Sequence, residues 1–162
     1  MNKILSYILL VTLSVLSIAA IDKISCDESA LKKELSPNLQ PNYKYDSAKT
    51  SQFEYSSQSH GREILVPLYR GEKYIFLFNT SGLPEAIKIE IYSERIGHKN
   101  RELLYSLEHE EGKNIYSFEP TTSRKMYVNY TIPSVKKEMN GCMVFMALRA
   151  CAPDRKFGAV FG

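Results

Sequence analysis

The chain of 162 residues has no tryptophan, three histidines and three cysteines, and each scarcity removes a class of explanation. His60, His98 and His109 stand far apart in sequence. No two of them have the i, i+2 or i+4 spacing that sets two ligands on one side of an element, and zinc-type Cys/His spacing is absent. Glu108-His109-Glu110-Glu111 joins a histidine to carboxylates. Adjacent strand or turn residues do not all point the same way, so this run reads as a solvated acidic hairpin rather than a metal site. There is no G-x-S-x-G elbow, Walker-type glycine loop or G-x-G-x-x-G, the motifs that mark acyl transfer or phosphate cradling. Serine, histidine and aspartate are present, but a triad is a geometric object and not a composition. Glu90, Glu94, Glu102 and Glu119 offer carboxylates for glycoside hydrolysis, as does the surface of any β-rich protein. The chain therefore reads as a non-enzyme with no cofactor and no metal, and an uncharacterised secreted hydrolase is the alternative from another class.

Net charge is also in short supply. Lys and Arg number 21 against 18 Asp and Glu, a formal charge of +3, and the two signs are interleaved along the chain. No basic footprint for nucleic acid is visible.

Only one long apolar run is present, from Ile4 to Ala20, after the single cation Lys3 and ending in Ser17, Ala19 and Ala20. A short positive region, an apolar core and a small-residue exit are the parts of a secretory signal peptide. A transmembrane anchor needs about 20 strongly apolar residues, and here Ser6, Thr12, Ser14, Ser17 and Tyr7 dilute the run. The reading is a cleaved signal over residues 1–20, export to the periplasm or beyond the cell, and no membrane span after cleavage. Lipid anchoring at Cys26 is disfavoured: Lys23, Ile24 and Ser25 precede it, where lipoprotein processing wants Leu, a small residue and then Gly or Ala. About 140 residues remain, enough for one domain with a core.

Residues 21–60 are polar and rich in Ser, Asn, Gln and Tyr, with Pro37 and Pro41 close together. Ser25 followed by Glu28 has the capping-box spacing, and Ala30, Leu31, Glu34 and Leu35 continue one short helix that Pro37 stops. Ser36 to His60 reads as an extended lead-in whose Tyr43, Tyr45, Phe53 and Tyr55 can pack on the domain downstream.

From Arg62 the chain breaks into short β-branched and aromatic stretches separated by turn chemistry,. Ile64–Tyr69, Lys73–Asn79, Ala86–Tyr92, Leu103–Leu107, Ile115–Phe118, Met126–Ile132 and Cys142–Leu148 are the predicted strands. In the third, Ile87, Ile89 and Ile91 alternate with Lys88 and Glu90, one face buried and one wet. Leu103, Tyr105 and Leu107 alternate as well, though Leu104 blurs the pattern. Pro67 cannot donate to a ladder, which puts the first strand at an edge. Cys142–Leu148 is apolar on both faces, which puts it in the middle of a sheet. About seven strands at roughly ten-residue spacing with no helix between them predict an all-β fold, an antiparallel β-sandwich of jelly-roll or immunoglobulin-like type. The sandwich is expected over residues 61–148.

Several stretches together carry a resemblance: CDESALKKEL, YKYDS, VPLYRGEKYIFLFNTSGLPEAIKIEIYS, YSFEPTTSRKMYVNYTIP and GCMVFM. In these the chain resembles a family of small exported, β-rich, functionally uncharacterised proteins of Bacteroidetes bacteria. The resemblance covers most of Cys26 to Met146, implies export and a β-rich fold, and carries no catalytic residue across. It stops at Ala147, so residues 149–162 read as a divergent tail holding Cys151. Cys26 and Cys142 both lie in the stretches that carry the resemblance, which makes a Cys26–Cys142 disulfide the preferred pairing; the other reading of Cys142 is a buried free thiol packed like a small hydrophobe. Pairing Cys142 with Cys151 would need the chain to fold back sharply, since nine extended residues span roughly 30 Å.

Eleven tyrosines are the one excess. Exposed on a sandwich face, Tyr92, Tyr116 and Tyr127 are the candidates to stack on sugar rings or anchor a partner; tyrosine also favours strands and spans the boundary between core and solvent. The functional expectation is a non-catalytic binding or cell-envelope-associated module with a protein or glycan partner in the envelope and no nucleic acid. A carbohydrate-binding domain using surface tyrosines is its nearest alternative.

Overall fold

The computed structural model describes residues 26–121 and 124–151. The expected signal peptide, residues 1–20, Ser25, and residues 152–162 of the expected tail lie outside them. The described elements are α1 (Glu28–Glu34), a 3-10 turn (Ser36–Asn38) and eight strands. These are β1 (Tyr43–Tyr55), β2 (His60–Val66), β3 (Tyr74–Asn79), β4 (Lys88–Tyr92), β5 (Leu103–Leu107), β6 (Ile115–Phe118), β7 (Met126–Ile132) and β8 (Met139–Ala150). The strands form two four-stranded sheets, β1-β8-β3-β6 and β2-β7-β4-β5, with every neighbouring pair antiparallel. β1 pairs with β8, β2 with β7, β3 with β6 and β4 with β5, so the chain is one long hairpin rolled up on itself. Eight strands arranged this way are a jelly roll, which closes an all-β domain into two packed sheets.

The inner faces of the two sheets make the main core. Period-two alternation supplies it: in β7, Met126, Val128, Tyr130 and Ile132 are buried while Tyr127, Asn129 and Thr131 are half-exposed,. Ile89 and Ile91 of β4 meet Phe76, Phe78 and Phe145 of the first sheet. Phe145 stacks edge-on against Phe76 at 5.1 Å between ring centroids. The buried Tyr55 hydroxyl donates to the Glu85 carbonyl at 2.6 Å, and burial pushes its pKa up to about 12.

A second, smaller core lies on the other side of the first sheet. There Ile75 and Leu77 of β3 and Val144, Met146 and Leu148 of β8 are covered by Leu31 and Leu35 of α1. β8 thus has protein on both faces, which is why its sequence shows no alternation. α1 is only seven residues long, too short to persist alone, and three attachments hold it. The first is the Cys26–Cys142 disulfide. The second is buried Asn79, whose Nδ2 donates to the Leu31 carbonyl at 2.9 Å and to Glu34 Oε2 at 2.8 Å. The third is the Ser81 hydroxyl, which donates to the same carboxylate at 2.8 Å. These bonds from Asn79 and then Ser81 hold the Glu34 carboxyl below the usual range. The disulfide joins residues 116 apart, and closing a loop of that length in the unfolded chain contributes about 4–5 kcal/mol in the chain-entropy treatment. Beside it the backbone is in close contact: a Cβ on Gly82 would stand 2.6 Å from the Cys142 carbonyl oxygen, so only glycine fits there.

Three local features depart from the sequence reading. The helix cap is Asp27, whose carboxylate accepts from Ala30 N–H at 3.0 Å. The stretch read as an extended lead-in contains β1, paired with β8 from Tyr43–Ala150 to Tyr55–Met139 with a bulge at Asp46. Its composition hides it because β1 is an edge strand: only its last third buries side chains, at Ser51, Phe53 and Tyr55, and the exposed Lys44 and Lys49 are what an edge carries to discourage further pairing,. The third departure is at the other end of the pair. β8 continues two residues past Leu148, and the next amide, that of Cys151, donates to the Asn42 carbonyl at 2.8 Å. Pro67 directly follows β2, which is an edge strand.

Cutting the chain after Leu148 removes the Ala150–Lys73 and Cys151–Asn42 bonds, the Arg149 pairings with Lys44 and Tyr74, and the Arg149–Asp46 ion pair. At about 1 kcal/mol per backbone bond this costs roughly 2–4 kcal/mol. Urea unfolding, with a chain cut after Cys151 as reference, measures the loss; equal midpoints would mean that pairing beyond Leu148 contributes nothing.

Candidate functional site

The outer face of the β2-β7-β4-β5 sheet bears two rows of side chains. Register places Leu65 beside Tyr127, Tyr127 beside Tyr92, and Tyr92 beside Leu103, so an apolar and aromatic row crosses all four strands. Leu65 is 53% exposed and Leu103 52%. The adjacent row runs Glu63, Asn129, Glu90, Ser106 in the same manner and is polar throughout.

The loop joining β4 to β5, residues 93–102, folds back over part of this face and is fixed by one carboxylate. Glu63 Oε2 accepts from Arg101 Nη1 at 2.6 Å, and Glu63 Oε1 accepts from the Ile96 amide at 3.1 Å. Arg101 also donates to the Glu94 carbonyl at 2.7 Å, and its guanidinium carbon lies 3.6 Å from the centroid of the Tyr92 ring, a cation–π contact. Ser93 and Glu102 close the neck through Ser93 N–H to the Glu102 carbonyl at 3.0 Å and Glu102 N–H to Ser93 Oγ at 2.9 Å. The tip turns at Gly97, whose φ of 83° suits glycine,. Held this way, the loop carries Ile96, 62% exposed, with its amide on the carboxylate of Glu63, two residues from Leu65.

Four cations, Lys88, Arg95, Lys99 and Arg101, and four anions, Glu63, Glu90, Glu94 and Glu102, belong to this face and its loop. Lys88 pairs with Glu90 at 2.8 Å and Arg101 with Glu63. The face is neutral, so no long-range field draws an anionic polymer to it.

Of the three tyrosines expected at a binding surface, the structure brings Tyr92 and Tyr127 together as cross-strand neighbours. Tyr92 has Arg101 on its ring. Tyr116 requires a correction: it is 4% exposed and points into the main core. Its hydroxyl accepts from the Glu110 amide at 3.2 Å and donates to the Lys113 carbonyl at 2.8 Å, so it braces the turn between β5 and β6. The sequence reading missed Leu65, Ile96, Leu103 and Arg101. A signal existed for Leu65, since Ile64-Leu65-Val66 is apolar at three consecutive positions of a strand whose next sheet neighbour alternates. The Arg101 contact joins residues 38 apart in sequence and leaves no local pattern.

Elsewhere, the described residues line at least two concave regions. A cleft lined by Thr80, Leu83, His109, Asn114 and Tyr116 among others holds about 60 Å³, room for a water or two. A shallow, open depression of about 390 Å³ beside Glu85, Lys136 and Lys137 lies at the β7–β8 connection. Among the described residues no three His, Cys, Asp or Glu side chains gather where they could hold a metal ion. Compared with known proteins, the chain matches no family model and no curated protein.

Glu63 and Arg101 are each about 15% exposed, and hydrogen bonds to charged groups contribute about 1.5–3 kcal/mol. Arg101→Ala and Glu63→Gln are each expected to destabilise the fold by about that much, and the double variant by less than the sum. A double-mutant cycle by chemical denaturation measures the coupling; strict additivity would mean that the clamp holds nothing.

Proposed function

We propose that the chain is an exported, disulfide-stapled, non-catalytic binding module of the cell envelope, and that it engages a protein partner through the outer face of the β2-β7-β4-β5 sheet. The observation that carries this reading is the row Leu65–Tyr127–Tyr92–Leu103 crossing four strands, with two leucines more than half exposed, and the exposed Ile96 on the loop that the Glu63–Arg101 clamp fixes over the same face. Aromatic side chains and arginine at the centre of a patch, with polar groups around it, are what protein interfaces favour. The neutrality of the face points to a partner read by shape and apolar contact. For export, the support is the apolar segment behind Lys3, the resemblance to exported Bacteroidetes proteins, and a disulfide of the kind that persists in oxidising compartments,. Among the described residues no helix is long and apolar enough to cross a membrane.

Recognition of carbohydrate through the three tyrosines has less behind it, because Tyr116 is buried and one side of the Tyr92 ring is taken by Arg101. A secreted hydrolase would need more room than the cleft beside His109 supplies,, and the larger depression beside Glu85, Lys136 and Lys137 is open rather than enclosed.

The test is site-directed photocrosslinking in an envelope fraction of the source cell. A photoreactive side chain at position 65 or 103 is expected to give the same single protein adduct, lost when Tyr127→Asp is added; a control at the exposed position Glu54 of β1 is expected to give none. No adduct at 65 and 103, or the same adduct at all three positions, contradicts the reading. A glycan array run in parallel decides against a protein partner if one sugar binds and Tyr127→Ala abolishes it.

A further inference from the structure

The opposite face of the molecule carries a second apolar surface, and it is occupied. α1 lies on the outer side of the β1-β8-β3-β6 sheet, with Leu31 and Leu35 set on Ile75, Leu77, Val144 and Met146. This is how an amphipathic helix docks in a groove: two anchors at i and i+4 on an apolar floor. The floor also carries fixed polar recognition. Asn79 is fully buried, and its amide donates to the Leu31 carbonyl and to Glu34, while Ser81 donates to the same carboxylate. The sheet beneath does not need α1 for its ladders, which are complete among β1, β8, β3 and β6. What ties helix to floor covalently is Cys26–Cys142, with Cys142 buried at 3% and Cys26 only half-buried.

A helix of seven residues has no stability of its own,. With the disulfide intact, α1 cannot leave without dragging on β8, the best-buried strand, so its opening is coupled to global unfolding. Without it, α1 opens locally, as weakly held segments do.

We propose that the outer face of the β1-β8-β3-β6 sheet is a helix-docking surface that the Cys26–Cys142 bond keeps filled by α1, and that reduction of this bond by a dithiol releases α1 and admits another amphipathic helix of the same pattern. The occupant is defined by what already fits: two leucines four residues apart and a carboxylate three residues after the first, for Asn79 and Ser81. In the reduction one thiolate of the dithiol attacks the Cys26 sulfur, the S–S bond breaks, and Cys142 leaves as a thiolate that takes up a proton. The second thiol of the reductant then displaces Cys26 in turn, so two electrons and two protons pass to the protein and the reductant departs as its own disulfide. This does not rest on the partner assigned to the other sheet.

The test uses the full chain with Cys151→Ser, so that the exposed thiol of Cys151 takes no part. Amide exchange is followed with and without dithiothreitol, together with binding of a fluorescent peptide of residues 26–39 carrying Cys26→Ser. On reduction the α1 amides are expected to exchange by local opening, faster than those of β4 and β7 by on the order of tenfold or more, while β4 and β7 lose protection together and only by the bond's contribution to global stability. The peptide is expected to bind the reduced chain and not the oxidised one, and a peptide with Leu31→Ala and Leu35→Ala to bind neither. A full-length Cys26→Ser, Leu31→Asp, Leu35→Asp variant, whose own helix cannot compete, is expected to bind the peptide without reductant. Unchanged α1 exchange after complete reduction overturns the proposal, as does exchange of α1, β4 and β7 at one common rate, which would mean that the helix opens only with the whole sandwich. Open α1 with no peptide binding to either the reduced chain or the triple variant overturns it as well.

Discussion

The structure depends on one strand being buried on both faces. β8 pairs with β1 on one edge and β3 on the other, and between Cys142 and Leu148 every side chain is within 6% of full burial. Met143, Phe145 and Ala147 enter the core between the sheets; Cys142, Val144, Met146 and Leu148 enter the core under α1. A strand with water on one side could not carry this sequence, and a helix seven residues long could not stay folded without a floor of this kind. The sandwich, the docked helix and the disulfide are therefore one arrangement seen from three places: an all-apolar central strand requires cover on both sides, and the N-terminal segment supplies the side that the second sheet cannot reach.

The sheet across from it works under the ordinary rule, inward apolar and outward mixed, and that leaves room for a functional surface. Its outer face is not uniformly polar. An apolar row spans four strands, a charged clamp spans β2 and the β4–β5 loop, and the two lie side by side. Glu63 is the joint between them: its backbone belongs to β2 close to Leu65, and its carboxylate orders the loop that carries Ile96 and Arg101. The surface proposed for binding thus lies on a hydrogen-bonded sheet and a loop pinned to it by Glu63.

Much of this was legible in residue patterns. The seven stretches read as strands correspond to β2 through β8, the two-faced apolarity of Cys142–Leu148 marked a central strand, and Pro67 marked an edge. The Cys26–Cys142 pairing followed from where the two cysteines lie in the stretches that carry the family resemblance, and the bond is present. Leu104 blurred the alternation of its strand for a physical reason: the register shifts there, and the bulge turns both Leu104 and Tyr105 toward the main core,. β1 was illegible because an edge strand with one half-covered face has no strong period, and its lysines suit a loop equally well. The site was only partly legible. Tyr92 and Tyr127 could be placed on an outward face by counting in twos, but Tyr116 looked the same in sequence and is turned inward on a four-residue strand where the period has too few repeats to be read. The Glu63–Arg101 clamp depends on tertiary proximity alone.

Both cores converge on β8 as their shared strand. Native-state amide exchange of the oxidised protein, resolved residue by residue, tests this most directly, because protection follows the free energy of the opening that exposes each amide. The amides of residues 144–148, bonded to two neighbours and covered on both faces, are expected to be the slowest in the chain and to exchange only with global unfolding. If they exchange at the rates of the edge strands β2 and β5 while β4 and β7 remain protected, β8 is not the shared strand and the two-core arrangement is wrong.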